Sequence, residues 1–158
     1  MFIVMKLLSW NVRGLGGAVK KREVSHLVRE KKPFILCIQE TKLQVLDAFD
    51  CRSIWGDDKV DFSYQRSAGA SGGLVTLWDL SEVEVWSSAS LDHVLAVTGR
   101  FLKSGEQFTM FNVYAPCDTS VNKPFGLPYL LGSKLWRAKM FVFVGILMPS
   151  GVRQKEEV

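Results

Sequence analysis

Cysteine and histidine are both scarce in this chain, and after Asp118 it contains no aspartate or histidine at all. The three cysteines, Cys37, Cys51 and Cys117, are odd in number and form no CxxC pair. That pattern fits a reducing, intracellular compartment and predicts no disulfide partner. Long hydrophobic runs are missing too. Met1 to Met5 is apolar but far too short to span a membrane, and it lacks the charged start and small-residue cleavage site of a secretion signal. No membrane association is therefore expected. Residues 1–121 show no internal repeat, linker or low-complexity block. The two histidines, His26 within a helical stretch and His93 beside a strand, read as structural. Charge of one sign is missing from most of the chain as well. The net charge is +4, but residues 122–158, with six Lys and Arg against two Asp and Glu, carry the whole excess. Net charge is thus no argument for nucleic-acid binding by residues 1–121.

With 158 residues the chain has room for one domain with a real core. Residues 6–11 read as a short buried strand followed by the Gly14, Gly16, Gly17 turn. From Ala18 to Lys32, Val24, Leu27 and Val28 recur at helical spacing among charges, and Pro33 stops that helix. Phe34 to Ile38 is a continuous apolar run suited to a central strand. Residues 42–58 are mixed. Beyond them, consecutive strands are predicted at Val60 to Arg66, Gly73 to Trp78, Val83 to Ser88, Val94 to Phe101 and Gln107 to Val113, all rich in β-branched and aromatic residues. From about residue 122 the periodicity fails, interrupted by Pro124, Gly126 and Pro128.

Three polar residues stand at the ends of these apolar strands. Asn11 lies in Ser-Trp-Asn-Val-Arg-Gly-Leu, Glu40 in Ile-Gln-Glu-Thr-Lys, and Tyr114 in Asn-Val-Tyr-Ala-Pro. Hydrolysing a phosphodiester needs a hard cation held by carboxylate and amide oxygens, with donors to fix the phosphate. Strand-end loops on one edge of a sandwich can supply such groups convergently. Each residue also has a plainer account: a solvated glutamate, an asparagine tolerating left-handed geometry before a glycine turn, and a packed turn tyrosine.

The three together, in this order and with Ser71-Gly72-Gly73-Leu74 between them, resemble the endonuclease/exonuclease/phosphatase superfamily. The wording is most similar to the endonuclease domains of plant LINE-type retrotransposons, over residues 5–120. The resemblance implies a four-layer α/β sandwich of the DNase I-like kind, dependence on Mg²⁺ (or Mn²⁺), DNA as partner and, for a retrotransposon product, a nuclear location. Matched residue by residue, it makes Glu40 the metal-binding glutamate, Asn11 the asparagine beside metal and phosphate, and Tyr114 a phosphate contact. Two departures are visible here. Arg13 stands where some members have aspartate, and Cys117 where many have asparagine.

The family pattern next requires Gly-Asp-Phe-Asn at the end of a strand, its Asp orienting the attacking water and its Asn holding the phosphate. The corresponding place reads Phe143-Val144-Gly145-Ile146-Leu147-Met148, so Ile146 and Met148 stand where Asp and Asn are expected. Neither can ligate a hard cation or activate water. The closing Ser-Asp-His motif is not found. A shifted reading frame accounts for this. If Val144 to Gly151 is encoded GTG GGG ATT TTA ATG CCG TCC GGN, reading from each third base gives Gly-Asp-Phe-Asn-Ala-Val-Arg. A frameshift near residues 119–123 is therefore expected, dividing the chain into a truncated family domain at 5–121 and an out-of-frame tail at 122–158.

These readings predict a partial α/β sandwich whose second half is missing, with the second sheet absent, an apolar inner face exposed and marginal stability. They also predict an inactive remnant, since the groups that position and stabilise the transferring phosphorus act as a unit. Two alternatives stay open: a catalytically dead nucleic-acid-binding fragment, and a member of the superfamily's phosphatase branch.

Overall fold

The computed structural model describes residues 6–115, 139–146 and 155–157, and side chains over 6–114. In chain order the elements are β1 (Leu7–Asn11), α1 (Ala18–Lys31), β2 (Ile35–Gln39), α2 (Ala48–Trp55), β3 (Val60–Gln65), β4 (Leu74–Asp79), β5 (Val83–Leu91), β6 (Val94–Phe101), β7 (Gln107–Ala115), β8 (Lys139–Ile146) and β9 (Lys155–Glu157). They build two sheets, ordered β3-β4-β2-β1-β9 and β5-β6-β7-β8. The chain is thus an α/β sandwich, a partial DNase I-like fold.

The expectation that the second sheet would be absent is corrected. The run of antiparallel hairpins from Val83 to Ala115 builds most of that sheet by itself, because its strands pair with one another and not with the first sheet. In the tail, the backbone of β8 runs parallel to β7 from Phe108↔Lys139 to Ala115↔Ile146, and β9 pairs antiparallel with β1. The apolar, β-branched and aromatic composition of β8 favours such backbone pairing.

Burial follows the two-residue period of the strands. One face of the first sheet contributes Leu8, Trp10, Leu36, Ile38, Val75 and Leu77 to a core shared with Val24, Leu27 and Val28 of α1 and Cys51, Ile54 and Trp55 of α2. The other face contributes Leu7, Ile35, Cys37 and Trp78, which pack against Val97, Phe101, Phe108 and Met110 of the second sheet. The outer face of the second sheet carries a separate buried group, Val94, Ala96, Phe111 and Val113.

Helix α2 falls in the stretch whose sequence is mixed, so it is an addition to the sequence reading. It is only eight residues long, which leaves too little periodicity to recognise. Its ends are nevertheless specified. The Asp47 carboxylate accepts a hydrogen bond from the Asp50 amide at 2.8 Å, and Gly56 closes the helix at φ 100°. The Lys21–Asp50 ion pair, at 2.6 Å, ties it to α1.

Cys37 and Cys51 are free and buried. Burial pushes both thiols up to about 12 from an ordinary 9.0; the Thr76 hydroxyl works the other way at Cys37, and Asp50, Asp47 and Asp61 add to the rise at Cys51. A raised folded-state value means that stability is intact below about pH 9 and falls as pH climbs towards 12, because the unfolded thiol ionises first. Each such thiol is expected to contribute a slope of up to about 1.4 kcal/mol per pH unit in that window. Urea midpoints between pH 8.5 and 10.5 check this, and Cys37→Ala should flatten the fall.

Candidate active site

The face between the sheets changes character along its length. At one end it is apolar, with Leu7, Ile35, Trp78 and Phe108. Two residues further along each strand come Ser9, Cys37, Thr76 and Met110, and two further still Asn11, Gln39 and Asn112. The strand order and pairing bring these last residues to one edge: Asn11 stands opposite Gln39, and Gln39 opposite Leu74. Polar groups are thereby delivered to the C-terminal ends of β1, β2 and β7.

Glu40 is the first residue past β2. It is only 6% exposed and sits in the left-handed region at φ 56°. Arg13 (φ 53°), Lys42 (φ 57°) and His93 (φ 60°) share that conformation, so four of the five such non-glycine residues described lie in loops around this edge. The fifth, Lys32, caps α1. Strained backbone concentrates where side chains must be aimed rather than merely packed. The turn is held by main-chain bonds, from the Gly14 amide to the Glu40 carbonyl and from the Leu15 amide to the Thr41 carbonyl, both at 2.8 Å.

The glycine loop is strapped to the next residues. The Thr41 amide donates to the Gly73 carbonyl at 3.1 Å, and the Lys42 amide to the Gly72 carbonyl at 2.9 Å. Gly73 has φ 89°, and a Cβ there would overlap the Thr41 hydroxyl. Glycine is therefore required by both conformation and close approach. On the other side of the loop, a Cβ at Gly72 would stand 3.8 Å from the Tyr114 ring. Tyr114 is 5% exposed, and its amide donates to the His93 carbonyl at 2.9 Å.

The structure thus brings Asn11, Glu40 and Tyr114 to one edge around the glycine loop. Two polar atoms there are buried without a hydrogen-bond partner, Glu40 Oε2 and Asn11 Nδ2. The other atom of each group is engaged. Glu40 Oε1 lies 3.6 Å from Lys42 Nζ, and Asn11 Oδ1 accepts from the Arg13 amide at 3.3 Å. A buried carboxylate oxygen lacking a donor suits a hard cation, and a buried amide N–H lacking an acceptor suits a phosphate oxygen. The pair therefore fits a cation carried with a phosphate. Among the described residues no three of His, Cys, Asp and Glu cluster to hold a metal. Ile146 is the last residue of β8, its backbone paired with Ala115 next to Tyr114. Met148 lies outside the described residues.

Sequence reasoning missed two residues that hold this edge together. Asn112, fully buried, reaches across from β7 and donates to the carbonyls of Val75 at 2.9 Å and Ile38 at 3.3 Å. Its Oδ1 accepts from Gln39 Nε2 at 2.8 Å, and Gln39 also donates to Ser9 Oγ at 2.9 Å. The signal was present: both are amides at inward positions of otherwise apolar strands, and buried amides need partners.

Residues 8–141 match the Endonuclease/Exonuclease/phosphatase family, and the chain belongs to that family. Over 40 residues it is 45% identical to an exodeoxyribonuclease of Bacillus subtilis (strain 168), a stretch covering 25% of this chain and 16% of that protein. Among solved structures it is similar to the AP endonuclease LMAP from Leishmania major, with a TM-score of 0.55 and 23% identity over 80% of this chain and 43% of that one. The human Nocturnin catalytic domain with bound sulfate gives a TM-score of 0.53 at 18% identity, over 73% of this chain and 51% of that one. At these identities the solved structures speak to the fold. The chain spans about half the length of these structures or less.

Proposed function

We propose that this chain carries the metal- and phosphate-binding part of a divalent-cation-dependent DNA phosphodiesterase, and that it does not complete the reaction. The observation that carries the first half is the buried, unpartnered Oε2 of Glu40 beside the strand bearing the unpartnered Nδ2 of Asn11. Glu40 would hold Mg²⁺ or Mn²⁺, with Asn11 and Tyr114 directed at the phosphate; Lys42 Nζ would give way to the cation. A cation so placed supplies charge neutralisation at the phosphate and lowers the pKa of its water. Family members named for DNA cleavage, including an exodeoxyribonuclease and an AP endonuclease, support DNA as substrate class.

The second half rests on β8. Its end adjoins Tyr114, the place for a water-orienting aspartate and a phosphate-holding asparagine, and the sequence there has Ile146 and Met148. We infer that a frame shift near residues 119–123 produced this, making 122–158 an out-of-frame tail on a domain at 5–121 of LINE-type retrotransposon origin. The nucleotide sequence of the locus decides that point: GAT TTT AAT is expected from the third base of the Gly145 codon to the second base of the Met148 codon.

For activity, supercoiled plasmid incubated with Mg²⁺ or Mn²⁺ is expected to stay uncut. Mn²⁺ titrated by electron paramagnetic resonance should bind weakly, in the millimolar range characteristic of roughly one carboxylate plus water. Glu40→Ala should abolish that binding. Nicking that disappears in Glu40→Ala would refute inactivity, and Mn²⁺ binding indifferent to Glu40→Ala would refute the cation assignment.

A further inference from the structure

On the far side of the glycine loop from Glu40 lies a cleft of about 430 Å³, walled by the Ser67–Gly73 loop and by the β5–β6 turn, with Tyr114 between them. That volume lies in the range that takes one small organic molecule. Arg66 lines it, is exposed, and makes no ion pair with any described residue. His93 also lines it and is exposed, its ring 6.2 Å from that of Tyr114 and tilted by 55°. Ser71 and the backbone of Gly72 and Gly73 add small polar edges. Among the described residues Asp92 is the one carboxylate on the lining.

We propose that this cleft binds one unpaired nucleotide of a DNA strand, next to the phosphate held at Glu40 and Asn11. The inference rests on the phosphodiesterase reading of that edge and names the form of DNA it takes. A guanidinium with no ion pair among the described residues provides for one phosphate. An exposed imidazole provides a stacking surface that accepts any base. The lone carboxylate argues against a second phosphate, and it offers an acceptor to an exocyclic amino group. A paired base would bring its partner strand into a cleft closed on two sides, so the strand must be single or locally opened.

The test is fluorescence anisotropy with the full chain and a fluorescein-labelled ten-nucleotide DNA of mixed sequence, in low salt with EDTA. Excluding metal separates this site from the cation site, so either can fail without the other. The single strand should bind at least about fivefold more tightly than the same sequence as a blunt duplex, given the stacking contribution of an exposed base. Arg66→Ala should weaken binding at least about fivefold and reduce the slope of log affinity against log salt by roughly 0.7. His93→Asn, which tolerates the left-handed backbone, should weaken binding by a similar factor. Both side chains are exposed, so the melting temperatures of the two variants should match that of the parent. Equal affinity for the duplex, undetectable binding by the parent, or affinity unchanged in both variants would overturn the proposal.

Discussion

Asn112→Leu is expected to lower stability by about 3 kcal/mol, a large share of what a small domain possesses. Leucine keeps the branched outline but is bulkier, so overpacking adds to the loss. The larger part comes from the polar groups left behind. Gln39 Nε2 loses the Asn112 acceptor at 2.8 Å, and the Val75 and Ile38 carbonyls lose a donor, all in a region closed to water. Buried groups stripped of partners each cost about 1–3 kcal/mol. Because the amide joins β7 to both β2 and β4, the variant should also loosen one sheet against the other. Hydrogen exchange should then quicken at the inward ends of β2 and β4 more than at β5 and β6. Urea unfolding gives the free energy; a midpoint within error of the parent would mean that water replaces the amide at no cost, and the network would lose its assigned role.

The second large effect is expected at Gly99, well away from the candidate site in sequence. This residue faces the irregularity in β5 where the register shifts between Val85 and Ser87. A Cβ at Gly99 would overlap the Glu84 carbonyl oxygen and stand 3.0 Å from Val85 Cα. Those neighbours are backbone and cannot rotate away. Gly99→Ala is therefore expected to cost about 3 kcal/mol, the upper end for overpacking, by forcing β5 off β6. The β5–β6 turn carries Asp92 and His93, whose carbonyl accepts the Tyr114 amide. The damage should consequently reach the cleft, seen as lost oligonucleotide binding alongside early exchange of β5 amides. A melting temperature within about 2 °C of the parent would show that the strand pair adapts freely.

Both sites show what local pattern can and cannot convey. Asn11, Glu40 and Tyr114 were readable as polar residues closing apolar strands, and the Ser71–Leu74 segment as a loop needing glycine. That these converge on one edge depends on β2 pairing parallel to β1 and antiparallel to β4, which no single strand specifies. The second sheet was underestimated for a related reason. Its strands were recognised one by one, yet whether hairpins join a neighbouring sheet or form their own depends on which apolar faces meet. Asn112 read as an ordinary strand residue and Gln39 as a polar residue just past its strand, because the acceptors and donors that occupy them lie 30 to 74 residues away in the chain.

The sequence by itself determined the positions of α1 and of β1 to β7, the family wording around Glu40, and the identity of the residues at the end of β8. Those properties are local: periodicity, turn chemistry and side-chain donors are written residue by residue. Only the tertiary structure decided that Glu40 Oε2 and Asn11 Nδ2 would be buried without partners at one edge. It also decided that a cleft would open between Arg66 and His93, and that two amides would join the sheets. Those are properties of which surfaces come into contact, and contact between distant segments is settled by packing the whole core at once.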